Sequence, residues 1–226
     1  MYVGEAKTDG KATGSLILGI LSLLCLSFLA GIPAVILGHM SRKNIRESMG
    51  RLKGDGMALA GLIMGYISVA AIPLILIIAA IAIPNLLRSK LAANDSAAAS
   101  RVRTVNTAQV TYSTTYPAKG YARNLEVLGP GASEQCPASG PSDSAACLID
   151  SRLAGGGPIS GFRFNVTAVC GSDEVCTDYV ITAVPVNTST GSKSFCSTSD
   201  AVVRSESGVA SNPPATVQEC SAWSPL

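Results

Sequence analysis

Met57 to Leu87 is a run of 31 residues without one Asp, Glu, Lys or Arg. About 20 apolar residues of helix cross the ~30 Å of a bilayer's hydrocarbon, so this run is long enough to cross and emerge. A second uncharged run, Leu16 to Met40, has 25 residues. It is too long for the apolar region of a cleaved signal peptide. The whole chain is 47% hydrophobic and only 14% charged. That balance excludes a disordered chain and an ordinary soluble two-domain protein. The expected architecture is an α+β membrane protein. A transmembrane helical hairpin (spans 16–40 and 57–87, within a two-helix membrane domain 14–62) leads into a polar half.

The two halves differ in charge and in cysteine content. Residues 1–87 hold seven Lys/Arg and four Asp/Glu, a net of +3; residues 88–226 hold ten and eleven, a net of −1. No basic face recommends a nucleic-acid partner. Residues 88–226 contain 26 Leu, Ile, Val or Phe among 139, near the level at which a chain struggles to build a core. Six of the seven cysteines lie there: Cys136, Cys147, Cys170, Cys176, Cys196 and Cys220. An even set in an apolar-poor domain reads as three disulfides, hence an oxidising compartment. Near-neighbour pairs are favoured, although fifteen pairings are open. Cys25, in the first run, reads as a small apolar core residue.

Orientation follows from the basic residues. The segment between the runs carries Arg42, Lys43, Arg46, Arg51 and Lys53, and only Lys7 and Lys11 precede the first run. The positive-inside rule places this basic loop in the cytoplasm, with the tail 1–13 and the C-terminal half outside. Arg88, Lys90, Arg101 and Arg103 oppose that vote, five against six, and the cysteines decide it. Gly61 and Gly65 form a GxxxG, the spacing that lets helix backbones approach closely in lipid. The heptapeptides 16–22 and 62–68 also resemble each other.

Beyond Pro84 the sequence turns polar but keeps a helical period. Leu91, Ala98, Val102, Val105, Tyr112 and Tyr116 fall on one face; Arg88, Asn94, Ser96, Arg103, Asn106 and Thr111 fall on the other. The spacing predicts one helix over 63–116, ended by Pro117. A loop-rich stretch follows, then four strands of an antiparallel meander around Phe162–Ala168, Tyr179–Val184, Phe195–Cys196 and Ala201–Arg204. The predicted helix is the natural cover for one face of that sheet. The last twenty residues read as irregular, held only by Cys220. Domain 117–226 is therefore expected to be a disulfide-braced loop-and-sheet unit.

The run Ala79-Ala-Ile-Ala-Ile-Pro-Asn-Leu-Leu87, the continuation Ala97–Gln109 and Tyr116-Pro117 resemble the type IV pilins and pseudopilins. The resemblance extends over about 150 residues and is strong over about 40. It implies a long helix packed on a small sheet. It also implies a structural role: a minor component or accessory of a type IV pilus or type II secretion system in the bacterial envelope, with pilin-like subunits or assembly proteins as partners. Processed prepilins have Gly before the cleavage point and Glu at the fifth mature position. Counting back from Pro84 gives Leu62, Ile63 and Ile67 instead, so processing and the Glu contact do not carry over. Residues 14–71 resemble a small Gly-rich membrane domain of unassigned function found fused to bacterial proteins.

No nucleophile, base or phosphate-loop motif is present. Gly155-Gly156-Gly157 lacks a following Lys-Ser/Thr and reads as a turn; the sole histidine, His39, reads as interfacial. No enzyme activity, cofactor or metal is expected, although Asp173, Glu174 and Asp178 leave a calcium loop as an alternative. The other functional reading is an envelope binding or sensor module that uses the pilin fold without polymerising.

Overall fold

The computed structural model describes residues 7–22, 27–49, 51–131 and 135–226. Cys25 lies outside the described residues. The chain divides into two compact units, Met1–Pro84 and Asn85–Leu226.

The first unit contains β1 (Lys7–Thr8), α1 (Gly10–Leu21), α2 (Ser27–Glu47), β2 (Leu52–Lys53) and the first part of α3 (Asp55–Thr115). Asp9 caps α1 by accepting the Lys11 N–H at 3.2 Å. The single span expected over 16–40 is corrected: the run is divided between α1 and α2, which lie antiparallel. Ser41 Oγ donates to Asp9 Oδ2 at 2.6 Å, and Ser15 Oγ donates to the Ala34 carbonyl at 3.0 Å. β1 then pairs in parallel with β2, Lys7 opposite Leu52 and Thr8 opposite Lys53. Lys7–Thr8 and the basic segment therefore sit side by side.

Small residues explain this packing. Beside Ala30 and Leu62, the buried positions are Ala12, Ser15, Gly19 and Ser22 at α1; Gly31, Ala34, Gly38 and Ser41 on α2; and Ala58, Gly61, Gly65 and Ser68 on α3. Each set is spaced 3, 4, 3, the period of a helix seam. Without large side chains between them the backbones approach closely. Close van der Waals contact between the backbones then holds the helices together.

The second unit begins with the remainder of α3. Ala98, Ala99, Val102, Val105, Ala108 and Tyr112 are buried on one face. They meet β3 (Phe162–Cys170), β4 (Cys176–Pro185) and β5 (Lys193–Thr198), whose inward side chains are Phe162, Phe164, Val166, Tyr179, Ile181, Ala183 and Phe195. β6 (Arg204–Ser207) and β7 (Ser224–Pro225) complete a five-stranded antiparallel meander ordered β3-β4-β5-β6-β7. Two short helices, α4 (Leu125–Leu128) and α5 (Ser151–Ala154), lie in the connecting loop and add Leu125, Leu128 and Leu153 to this core.

Three expectations shift. The fourth strand starts at Arg204 rather than Ala201, because Ala201 takes φ 56° and Asp200 Oδ1 holds the Val202 N–H at 3.0 Å in a turn. Asn106 is not on the solvent face. It is buried, donates to Ser197 Oγ at 2.9 Å and accepts from the Tyr179 hydroxyl at 3.2 Å. The tail is not irregular throughout: α6 (Val217–Ser221) is started by a capping box of Thr216 and Glu219. It packs Cys220, Val217 and Trp223 on the back of the sheet, against Val180 and Cys196.

Gln109 was not singled out by the sequence, yet it is fully buried. Its amide donates to the Ala122 carbonyl at 3.0 Å and accepts the Ala122 N–H at 2.8 Å. This pair pins the loop after α3 to the helix. Gln109→Ala leaves both backbone groups buried without partners, and should cost about 2 kcal/mol. Chemical denaturation of the full chain in detergent checks this, with Thr107→Ala on the exposed side of α3 as the control.

Candidate functional site

The first functional feature is a surface of α3. α3 is the one helix among the described residues that is long and apolar enough to cross a membrane. From Leu74 to Leu87 its large side chains (Leu74, Ile75, Leu76, Ile77, Ile78, Ile81, Ile83, Leu86 and Leu87) are each 47–72% exposed. Successive helix residues turn by about 100°, so the five residues Leu74–Ile78 alone show apolar surface in every direction. A helix apolar all round requires an apolar surrounding. The three packed helices follow the same inside-out rule: Ile17, Ile20, Ile32, Ile36, Met40, Ile63 and Ile67 point outward, and the small residues point inward.

Gly61 and Gly65 are consumed within the chain. A Cβ on Gly61 would lie 2.5 Å from the Ser15 backbone; one on Gly65 would lie 2.8 Å from Val35 and 3.1 Å from the Gly31 carbonyl. The GxxxG therefore faces α1 and α2. Gly19 meets Gly61 in turn, and Gly38 meets Leu62 and Ser15. The related heptapeptides 16–22 and 62–68 thus belong to helices that contact each other.

The basic residues gather where these helices end. Arg42 pairs with Asp55 at 3.2 Å and Lys43 with Glu47 at 3.9 Å. Arg46 stands in the last turn of α2, where a cation meets the negative end of the helix dipole. Arg51 Nε donates to the Ser48 carbonyl at 3.3 Å, and Lys53 is exposed on β2. His39 Nδ1 lies 3.1 Å from the Val35 carbonyl, and its ring meets Tyr66 edge-on at 6.0 Å.

In the second unit the cysteines pair as Cys136–Cys147, Cys170–Cys176 and Cys196–Cys220. The first closes the loop layer, the second ties β3 to β4, and the third binds α6 to β5. Gly120, at φ +70°, lets the loop backbone lie against Cys176, whose carbonyl accepts the Tyr121 N–H at 2.9 Å.

Perturbed groups here are structural. Burial raises the Tyr179 phenol, with Tyr121 and Asp178 adding to the shift. Burial also raises Tyr112, next to Asp143, whose carbonyl accepts the Tyr112 hydroxyl at 2.6 Å. The Arg204 hydrogen bond holds Asp200 down to about 2.

The three acidic residues of the alternative calcium loop are engaged separately. Asp178 Oδ1 accepts the Tyr179 and Ser199 N–H groups, Asp173 accepts that of Val175, and Glu174 faces Arg123 at 3.6 Å. Among the described residues no three His, Cys, Asp or Glu stand together to hold a metal.

Residues 11–81 match a family model described as a domain of unknown function (DUF4190). The match begins one residue into α1 and ends within the bare part of α3. No curated protein and no solved structure matched the chain.

Proposed function

We propose that this chain is a membrane-anchored, pilin-like display protein. In this reading α3 crosses the bacterial cytoplasmic membrane once and carries a disulfide-braced domain outside it. The observation that carries the reading is the bare apolar surface from Leu74 to Leu87. Lipid satisfies such a surface at no cost in unpaired backbone, because the helix bonds its own amides.

The helices α1 and α2 form a hairpin that enters and leaves on one face, since β1 and β2 join its two ends. That changes the orientation vote. Lys7 and Lys11 now count with Arg42, Lys43, Arg46, Arg51 and Lys53. Seven basic residues lie on the cytoplasmic side against four (Arg88, Lys90, Arg101 and Arg103) beyond α3's apolar run. The positive-inside rule and the disulfides then agree without conflict.

The role is structural, as a minor component or accessory of a type IV pilus or type II secretion system. The resemblance of Ala79–Leu87 to pilin helices supports it. A second reading is a stand-alone envelope binding or sensor module. The close packing of Gly61 and Gly65 against α1 and α2 favours this one, because it opposes extraction of α3 into a filament.

N-terminal sequencing of the protein from sheared surface filaments and from membranes tests both. Recovery in filaments, starting near Met57 or Ile63, is the result expected of a filament subunit. Recovery only in membranes at full length supports the stand-alone module. Recovery in the soluble cytoplasm would remove both.

A further inference from the structure

We propose that the second unit binds a phosphate monoester of saccharide size in the cavity between α3 and the segment 151–160. The cavity has a volume of about 620 Å³ and is lined by Arg101, Arg152, Ser151, Ser160, Pro158 and Ile159, with the backbone of Gly155 and Gly157. It lies wholly in the second unit, so the inference does not depend on how α3 meets the membrane.

Charge is the first argument. Two guanidinium groups line the cavity and no carboxylate does. Among the described residues neither arginine forms an ion pair. Arg101 makes only a long bond of 3.4 Å to Ser160 Oγ. Three of the domain's ten Lys/Arg (Lys119, Arg123 and Arg204) have acidic partners, and the two that line this cavity are among those left to meet an anion. Arginine's planar fork of donors fits phosphate oxygens two at a time. Ser151 and Ser160 add hydroxyl donors at the same wall.

The glycines supply the second argument. Of the three in sequence, only Gly156 needs to be glycine for its backbone, at φ +67°. Gly157 has no positive φ, and a Cβ there would meet no atom within 4 Å. Neither turn geometry nor packing inside the protein explains its missing side chain. A bare backbone is the device by which a chain lets a ligand approach its amides closely. Gly157 lines the cavity, so the absence of a methyl falls where such an approach would occur. Pro158 and Ile159 offer an apolar wall to the uncharged part of the ligand. The volume is in the ordinary range for small-molecule sites and well above that of a bare phosphate.

The test is calorimetric titration of the full-length protein in neutral detergent at constant ionic strength. The probes are inorganic phosphate, hexose 6-phosphate and the unmodified hexose. The expected order is hexose 6-phosphate tightest, inorganic phosphate weaker and hexose weakest. Arg101→Gln with Arg152→Gln should weaken hexose 6-phosphate by at least about tenfold. Gly157→Ala should weaken it similarly while leaving the melting temperature unchanged, since the methyl has room in the protein alone. Saturable binding of inorganic phosphate with equal affinity would keep the phosphate site and assign it to free phosphate. Three results would overturn the proposal: no saturable binding of either phosphate probe, equal binding by the double variant, or equal binding by Gly157→Ala.

Discussion

Replacing Cys196 and Cys220 together by Ala should cost the second unit about 3–4 kcal/mol and lower its melting temperature by roughly 10–15 °C. The pair closes a loop with a sequence separation of 24. In the chain-entropy picture, opening a loop of that length releases about 3 kcal/mol of conformational freedom to the unfolded state. The local cost adds to it. Both cysteines are fully buried, and they form the centre of the small cluster between α6 and the back of the sheet. Without the bond, α6 has five residues, a capping box and the packing of Val217 and Trp223 to hold it. An isolated helix of that length does not persist in water. Circular dichroism melts of the full chain in detergent, with and without reductant, measure the effect. Removing Cys136 and Cys147 should cost less, because that loop separation is 11. An equal loss from the two deletions would show that loop length does not set the order.

The parts of this fold that were legible in the sequence are those where one period governs. Ala98, Val102, Val105 and Tyr112 repeat at helical spacing and are buried together. Phe162, Phe164 and Val166 alternate with exposed Arg163, Asn165 and Thr167 on β3. The even cysteine count in an apolar-poor half signalled disulfides. In the first uncharged run, length and absence of charge do not show where one helix ends and the next begins. Further information lay in small residues in and beside it: Ala12, Ser15, Gly19 and Ser22, then Gly31, Ala34, Gly38 and Ser41. Here the two stripes are the buried faces of two helices, and hydropathy does not weigh a glycine that way.

Asn106 and Gln109 were hidden for a different reason. Polar residues next to an apolar stripe read as solvent-facing unless their partners are known, and Ser197, Tyr179 and Ala122 are distant in sequence. The helix α6 was readable in principle, since Thr216 and Glu219 have the capping-box spacing; Pro213-Pro214 just before it favours an irregular reading instead. The cavity beside Arg101 was out of reach, because Arg152 and the glycines join it only through the folded loop.

The hairpin makes the most severe demand on a single residue, and Gly61→Leu should break it. At Gly61 even a Cβ would stand 2.5 Å from the carbonyl carbon and oxygen of Ser15. Those are backbone atoms of α1 and cannot swing aside as a side chain does, so α1 must move away as a body. In water, helices forced apart at one point stay together because separation exposes apolar surface. In lipid that penalty is absent, and close contact between small residues is itself the attraction. Losing Ser15 and Gly19 from the surface of Gly61 therefore removes the cause of association along with the fit. The readout is the join between β1 and β2. With Cys25 replaced by Ala, Thr8→Cys and Lys53→Cys place thiols on directly paired residues. Mild oxidation should cross-link them nearly completely when Gly61 is present. Overpacking of this kind typically costs ~1–3 kcal/mol, so Gly61→Leu should reduce the cross-linked fraction relative to the open form about tenfold. Leu59→Ala, on the exposed side of the same turn, should leave it unchanged. Equal cross-linking with Leu at 61 would mean that β1 and β2 meet for a reason other than the packing of α1 on α3. The proposed single-crossing topology would then lose its support.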